Sequence, residues 1–395
     1  MSQDPDPIVI VGYARTPIGG LLGEMTPLSA NEMGAVAIKA ALDDAGIEGE
    51  AVDQAFMGCV LPAGQGQAPA RQAALKAGLP LSVEATTLNK MCGSGMQAAI
   101  MAHDAIKAGQ ADVIIAGGME SMSNAPFLLP EHRAGHKYGH AKIYDSMALD
   151  GLEDAYAHEP MGKFADTAAE KYQLTREAQD AYALETLRRA QEAARTGAFD
   201  RETTPVTIKT RKGDMVVDTD ELPRKARPEK IPNLRPAFNK DGTVTAANAS
   251  GISDGAAAMV LMRQSEAEKR GLKPIAKIVA TAAHAHEPEW FTTAPVPAMK
   301  KALTKAGWTV DDVDLWEINE AFAVVPMIAM KELGITHDVI NVHGGACALG
   351  HPIGASGARI MATLMAALEQ RGLKKGVASL CIGGGEATAI ALEMI

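Results

Sequence analysis

An α/β fold built from two similar halves is predicted by three features of this 395-residue chain. Strand-like runs alternate with Ala-rich helical stretches, and a loop, helix, strand, glycine unit occurs twice. The composition is 47% hydrophobic, 22% charged and 4% aromatic, with 38 glycines, which fits a tightly packed enzyme and excludes a disordered chain. The length exceeds what one hydrophobic core usually organises, so two or three packed units are expected.

The first apolar run, 8–11, reads as a strand ending at Gly12. Ser29 and Glu32 then form a capping-box pattern that opens an Ala-rich helix running to Gly46. After Cys92, Met96, Ala99, Ile100 and His103 recur at helical spacing, and this helix is expected to stop near Gly109. The run 113–116 reads as a buried parallel strand before Gly117-Gly118. The unit returns later: GHPIGASG (350–357) precedes a helix carrying Ile360, Leu364 and Leu368, then a strand over 379–382, then Gly383-Gly384-Gly385. CGSG followed by GGME in the first half thus parallels GASG followed by GGGE in the second, the pattern of an internal duplication. Its active site is expected where the loops of the two halves converge.

Residues 121–249 differ in kind. Met, His, Pro and charged residues dominate 121–161, two helical stretches span about 163–196, and 205–242 is rich in Pro and Lys. The expected division is an N-terminal α/β domain from 1–120 with 250–270, an inserted loop domain over 121–249 for substrate binding and subunit contact, and a C-terminal α/β domain over 271–395. A structureless loop of such length is rare in a compact fold, which assigns the insertion a function.

Lys and Arg number 38 against 48 acidic residues, a net charge of -10, and no basic block tracks a phosphate backbone. Nucleic acid is not an expected partner. A local cluster such as Arg224, Lys225 and Arg227 can still hold phosphate against the overall sign. The four cysteines form no C-x-x-C pair, so neither disulfides nor a metal site is expected, and the thiols read as reduced and cytoplasmic. MSQDPDP lacks a basic n-region and no apolar run of membrane-spanning length follows, so no membrane association is expected.

Cys92 sits in Asn89-Lys90-Met91-Cys92-Gly93-Ser94-Gly95 just before a helix, where unpaired N–H groups and the helix dipole stabilise an anion. A helix start with a nearby histidine lowers a thiol pKa and raises its nucleophilic fraction, which is the expectation for Cys92. The competing account is a small buried cysteine. His351, fixed between Gly350 and Pro352, suits a positioned base, although a lone loop histidine is more often structural. Cys381 ends a strand just before three glycines whose N–H groups can serve as oxyanion donors, and a buried strand cysteine is the alternative. Asn319 can hold a water or carbonyl by its amide, or simply cap a helix. No G-x-x-x-x-G-K-[ST] or G-x-G-x-x-G pattern and no H-E-x-x-H pattern occurs, which disfavours nucleotide and metal chemistry.

Five ordered segments, LNKMCGSG (88–95), NASGISDGAA (248–257), NEAFA (319–323), GGACALGHPIGASG (344–357) and LCIGGG (380–385), resemble the thiolase family across essentially the whole chain. The resemblance implies a thiolase fold, two α/β domains of mixed five-stranded sheets with an inserted loop domain, and an acyl-CoA C-acyltransferase. In that picture Cys92 carries the acyl group, His351 activates it and Cys381 is the acid/base at carbon. A water held by Asn319 joins His351 in binding the enolate oxygen, and the N–H groups of Cys92 and Gly383 bind the tetrahedral intermediate. Coenzyme A contacts carry over to Leu152, Met161, Arg224, Phe238, Ala246, Ser250 and Phe322. Coenzyme A is then a substrate and product, no permanently bound cofactor is implied, and the assembly is a homodimer or homotetramer. Met161 points to short chains such as acetoacetyl-CoA, whereas Pro160 and His343 depart from the short-chain pattern and Cys347 has no assigned role. A degradative 3-ketoacyl-CoA thiolase of broader chain length, a single-thiol thioester hydrolase and a non-catalytic acyl-CoA-binding relative are the alternatives.

Overall fold

The computed structural model describes residues 5–395; residues 1–4, on which part of the expected lack of a leader rests, lie outside the described residues. The first half supplies β1 (Ile8–Arg15), α1 (Ala30–Ala45), β2 (Gln54–Gly58), α2 (Pro69–Lys76), β3 (Glu84–Leu88), α3 (Ser94–Lys107) and β4 (Val113–Ser121). An excursion follows with α4 (Met161–Lys171), α5 (Arg176–Thr196) and the short α6 (Glu221–Lys225), after which the chain returns as β5 (Ser253–Arg263). The second half supplies β6 (Ala276–Ala285), α7 (Pro295–Ala306), β7 (Leu315–Ile318), α8 (Val324–Leu333), α9 (Ser356–Arg371), β8 (Lys375–Ile382) and β9 (Glu386–Met394).

Among the described residues these strands and the short Gly19–Gly20 segment form one ten-stranded sheet in the order β7-β8-β9-β6-β1-β5-β4-β2-β3, with Gly19–Gly20 on β5. The halves meet where Val9 and Ile10 of β1 pair with Lys277 and Ala276 of β6. The order β7-β8-β9-β6 repeats β2-β4-β5-β1, so the duplication read from the glycine motifs has a counterpart in topology. The position of β3 is taken in the second half by a single parallel bridge between Ile340 and Trp316. It stays short because Asn341 turns to φ 46° and its side-chain amide replaces ladder bonds, accepting from the Ile318 N–H and donating to the Ile318 carbonyl.

Local chemistry accounts for the elements that frame the site. Glu32 accepts from both the N–H and the hydroxyl of Ser29 to open α1, and Gly46 closes it at φ 67°. Two strand ends differ from the sequence expectation. β1 runs through Gly12 to Arg15, and β4 runs through Gly117 and Gly118 to Ser121. These glycines mark close approach, not chain reversal: a Cβ at Gly12 would lie 2.5 Å from the Ala41 carbonyl, and one at Gly118 would lie 2.0 Å from the Gly354 carbonyl of the other half.

Helices α3 and α9 pack together in the largest apolar cluster, between the sheet faces of the two halves. Ile360, Leu364 and Leu368 of α9 are fully buried, each contributing about 1.5–3 kcal/mol relative to exposure. The start of each helix is thereby fixed, and with it the loop before it: the Cys92 loop before α3 and the His351 loop before α9. Buried Arg15 pins the excursion to the first half through Glu202 at 2.5 Å and Asp220 at 2.8 Å. Asp220 also accepts from the Ile18 N–H, so α6 begins at a fixed place beside the site.

Candidate active site

Cys92 follows β3 in a tight, strained turn. Met91 takes φ 46°, a conformation costing a non-glycine residue about 1–2 kcal/mol, and side-chain bonds hold it there. The Asn89 carbonyl oxygen accepts from the Met91 N–H at 2.8 Å, while Ser94 Oγ accepts from the Lys90 N–H at 2.8 Å and donates to the Met91 carbonyl at 2.6 Å. The turn leaves Cys92 partly exposed one residue before the N-cap of α3. The backbone N–H groups of Gly383 and of Cys92 itself donate toward its sulfur.

Burial nonetheless dominates, pushing the Cys92 thiol up to about 11 against those two donors, with the charge of Glu120 adding to the rise. The sequence expectation of a lowered thiol therefore fails in the free protein. Desolvation outweighs the helix start, and His351 is itself uncharged. Burial and the Arg359 charge hold the imidazole down at about 3. Thiol and imidazole are a neutral pair at pH 7, and among the described residues no hydrogen bond joins them. Alkylation of Cys92 by iodoacetamide, followed by peptide mass, should then rise about tenfold per pH unit between roughly pH 7 and pH 10 as thiolate forms. A plateau by about pH 8 contradicts the raised thiol.

The tautomer of His351 follows from its neighbours. Ser356 Oγ donates to the Pro352 carbonyl at 2.9 Å, so its contact of 2.5 Å with His351 Nδ1 must be one in which Nδ1–H donates. The lone pair is left on Nε2, which faces the Asn319 side-chain amide at 3.4 Å. Asn319 Oδ1 is buried with no hydrogen-bond partner. Cys381, at the end of β8, is fully buried, and its thiol is raised well above the usual range by burial and then by the proximity of Cys92. The turn after it needs glycine at two places, Gly384 at φ 94° and Gly385 at φ 87°.

A cavity of about 680 Å³ opens above these groups, with Cys92, His351 and Gly383 in its lining. Of the seven residues assigned to coenzyme A, Leu152, Met161, Phe238, Ala246, Ser250 and Phe322 line it, most of them on the excursion. Arg224 does not; its guanidinium bonds Glu24 at 2.6 Å, while Lys225 pairs with Glu221. Asn319 and Cys381 lie behind the lining, both essentially without exposure. Pro160 lines the cavity at the N-cap of α4. His343 does not: it is buried edge-on to Phe199 at 6.0 Å and held down at about 4 by burial. Cys347 has a structural place, its N–H donating to the Glu320 carboxylate at 3.1 Å.

Sequence reasoning missed Leu222 and Phe291 in the lining and Ser356 behind His351. No motif marks the first two, which reach the cavity only through the placement of α6 and of the segment before α7. Ser356, five residues after His351 at the start of α9, was within reach of a helix-capping argument. Among the described residues, no group of three or more His, Cys, Asp or Glu side chains is placed to hold a metal ion. No helix among them is long and apolar enough to cross a membrane.

Residues 8–265 match the family model described as "Thiolase, N-terminal domain", and residues 272–394 match "Thiolase, C-terminal domain". The chain is 50% identical over 388 residues to an acetyl-CoA acetyltransferase of Cupriavidus necator, covering 98% of this chain and 99% of that one. It is 51% identical over 388 residues to one of Chromobacterium violaceum, with the same coverage. Among solved structures, the Bacillus anthracis acetyl-CoA acetyltransferase matches with a TM-score of 0.96 at 40% identity, covering 99% of each chain. The Acat5 thiolase of Ascaris suum in complex with coenzyme A matches with a TM-score of 0.93 at 43% identity, covering 98% of this chain and 100% of that one.

Proposed function

The chain belongs to the thiolase family, and from that premise we propose how its own residues carry the reaction. The protein is an enzyme, an acyl-CoA C-acyltransferase that condenses two acetyl-CoA into acetoacetyl-CoA and coenzyme A and runs the reverse thiolysis. The observation that carries the residue assignment is the convergence of Cys92, His351 and Gly383, from the two halves, in the lining of one mostly apolar cavity.

In the first transfer Cys92 Sγ attacks the thioester carbonyl while its proton passes to His351 Nε2. The N–H groups of Cys92 and Gly383 receive the oxyanion, and the departing coenzyme A thiolate takes the proton back from His351. In the second, the Cys381 proton passes to His351 Nε2, the Cys381 thiolate takes the α-proton of the other thioester, and the enolate oxygen is held by the resulting Nε2–H and by a water on Asn319, whose unpaired Oδ1 suits that task. The enolate carbon then attacks the acetyl group, and the departing Cys92 sulfur recovers the proton from His351. The raised pKa of Cys381 has a consequence in each direction. As a thiol it is the proton donor that thiolysis needs, and as a thiolate it is a stronger base than an ordinary cysteine for condensation. Leu152, Met161, Phe238, Ala246, Ser250 and Phe322 hold the pantetheine arm in the cavity. Coenzyme A enters as substrate and leaves as product, without a permanently bound cofactor. The nucleophile belongs to the first half, the base and second thiol to the second half, and the excursion over 121–249 supplies coenzyme A binding and subunit contact. Thiolysis of acetoacetyl-CoA by the purified protein tests the reading directly; absence of CoA-dependent cleavage overturns it.

Short acyl chains are preferred because Met161 and Met91 flank Gly383, where a Cβ would meet their methyl carbons at 3.9 and 3.7 Å, and Phe291 and Phe322 close the same cavity. We expect kcat/KM to fall about tenfold or more once the acyl chain exceeds roughly six carbons, the scale on which apolar pockets discriminate methylenes. A flat profile from about four to twelve carbons favours the broader degradative specificity instead.

A homodimer or homotetramer is the expected assembly, because Phe127, Leu129, Tyr138 and Ile143 of the excursion are exposed on one chain. A monomeric mass by light scattering at micromolar concentration contradicts it. The four free thiols suit the cytoplasm, and recovery of the protein in a membrane or secreted fraction contradicts that location.

A further inference from the structure

The repeated GGxE pattern contains two glutamates that the reaction scheme does not use. Glu120 closes Gly117-Gly118-Met119-Glu120 in the first half, and Glu386 closes Gly383-Gly384-Gly385-Glu386 in the second. Both reach across to the other half.

Glu120 is fully buried at the end of β4, and each of its oxygens is satisfied by donors from a loop beside the site. Oε2 accepts from the Val60 N–H at 2.9 Å and from the Gly354 N–H at 2.8 Å, the latter on the His351 loop of the second half. Oε1 accepts from the Leu61 N–H at 3.1 Å and from the Cys59 thiol at 3.6 Å. Val60, Leu61 and Ile353 form the small apolar cluster against which Met91 and Cys92 pack. Glu386 stands at the other side. It begins β9 directly after the Gly383 turn and pairs with Lys90, two residues before Cys92 on the first-half loop. The Lys90 backbone belongs to the same turn that presents the nucleophile.

We propose that Glu120 and Glu386 are reciprocal positioning residues: Glu120, anchored in the first half, holds the His351 loop through the Gly354 N–H, and Glu386, anchored in the second, holds the Cys92 loop through Lys90. Together they set how the nucleophile, the base and the Gly383 donor meet across the junction of the halves. A carboxylate is required at Glu120 because every group around it donates, so an isosteric amide would turn its NH₂ against an N–H or the thiol. Displacing a reacting group by about 1 Å can cost on the order of a hundredfold in rate, which makes such clamps worth more to kcat than to stability. Glu120 also acts on Cys92 by charge. His351 is neutral near pH 8–10 and the Cys381 thiol is raised, so Glu120 is the carboxylate that opposes the Cys92 thiolate there.

This inference rests on the proposed reaction, and the test separates the two: wild-type protein without thiolysis sinks the reaction, whereas active wild type with unimpaired variants sinks the clamps. Glu120→Gln, Glu386→Gln and Lys90→Met are compared with wild type in acetoacetyl-CoA thiolysis, normalised to the fraction of Cys92 that can be alkylated. We expect kcat to fall about 10-fold to 100-fold with KM changed by less than about threefold, the signature of misplaced catalytic groups. The double variant Lys90→Met/Glu386→Gln should be no slower than either single one, because both break one contact. Glu120→Gln should alkylate at Cys92 about threefold to tenfold faster near pH 9, a change that loss of packing alone does not produce. Undiminished kcat in the Lys90 and Glu386 variants, or losses that multiply in the double variant, overturns the Glu386 clamp. A lowered melting temperature with unchanged kcat and unchanged alkylation in Glu120→Gln overturns the Glu120 clamp. If Glu120→Gln does not fold, the partly exposed Lys90–Glu386 pair decides the proposal.

Discussion

Cys381→Ala protein accepts an acetyl group from acetyl-CoA and exchanges it with free coenzyme A, yet loses Claisen condensation and thiolysis by about 10²-fold to 10⁴-fold, the range for a positioned acid/base. The split follows from the geometry. Cys92, its two N–H donors and His351 with its lone pair on Nε2 are complete without Cys381. Cys381 stands behind them, fully buried at the end of β8 and close enough to Cys92 for their charges to interact. Only carbon–carbon chemistry needs a second proton carrier, so a single-thiol hydrolase would show no such split. Acetyl-enzyme yield and acetoacetyl-CoA cleavage, measured on one preparation, decide the matter. Near-wild-type cleavage removes Cys381 from the mechanism. Equal loss of both activities with a lowered melting temperature marks a packing defect instead, since removing a buried side chain leaves a cavity.

Cys92→Ser is expected to be the more severe lesion, abolishing acyl transfer and with it thiolysis and condensation together. The thiol at about 11 is already a reluctant anion, and the neutral His351 at about 3 accepts its proton only as the sulfur attacks. A hydroxyl is a far weaker acid than a thiol in the same place, so that coupled transfer no longer has a usable donor. The substitution keeps the Met91 turn, the donors and the packing, so the folded protein should melt close to wild type. Residual cleavage above about one per cent of wild type would show that another group can take the acyl chain.

The sequence made the catalytic loops legible because their chemistry is local. A cysteine between Asn89-Lys90-Met91 and Gly93-Ser94-Gly95 announces a helix start, and Gly350-His351-Pro352 announces a fixed ring. The duplication was legible for the same reason, through glycine motifs that recur before and after α3 and α9. What escaped depends on contacts between distant segments. Gly12, Gly117 and Gly118 read locally as strand ends, and only the approach of α1, β5 and the Gly354 carbonyl explains them as interior strand residues. The sign of the Cys92 shift escaped too. A helix start and a histidine are visible in the sequence, but the desolvation that overrides them is set by packing from Val60, Leu61 and Ile353. Arg224 read as a phosphate ligand by charge and family position, whereas in the fold Glu24 is its partner, two hundred positions away in sequence.

The account stands most directly on a covalent acetyl group at Cys92, and one measurement reads it. Protein mixed with acetyl-CoA, quenched in acid and digested should carry a single acetyl group on the peptide containing Cys92, and adding coenzyme A before the quench should discharge it. Absence of the adduct under conditions that support thiolysis, or its appearance on Cys381, Cys59, Cys347 or a lysine in place of Cys92, would contradict the account.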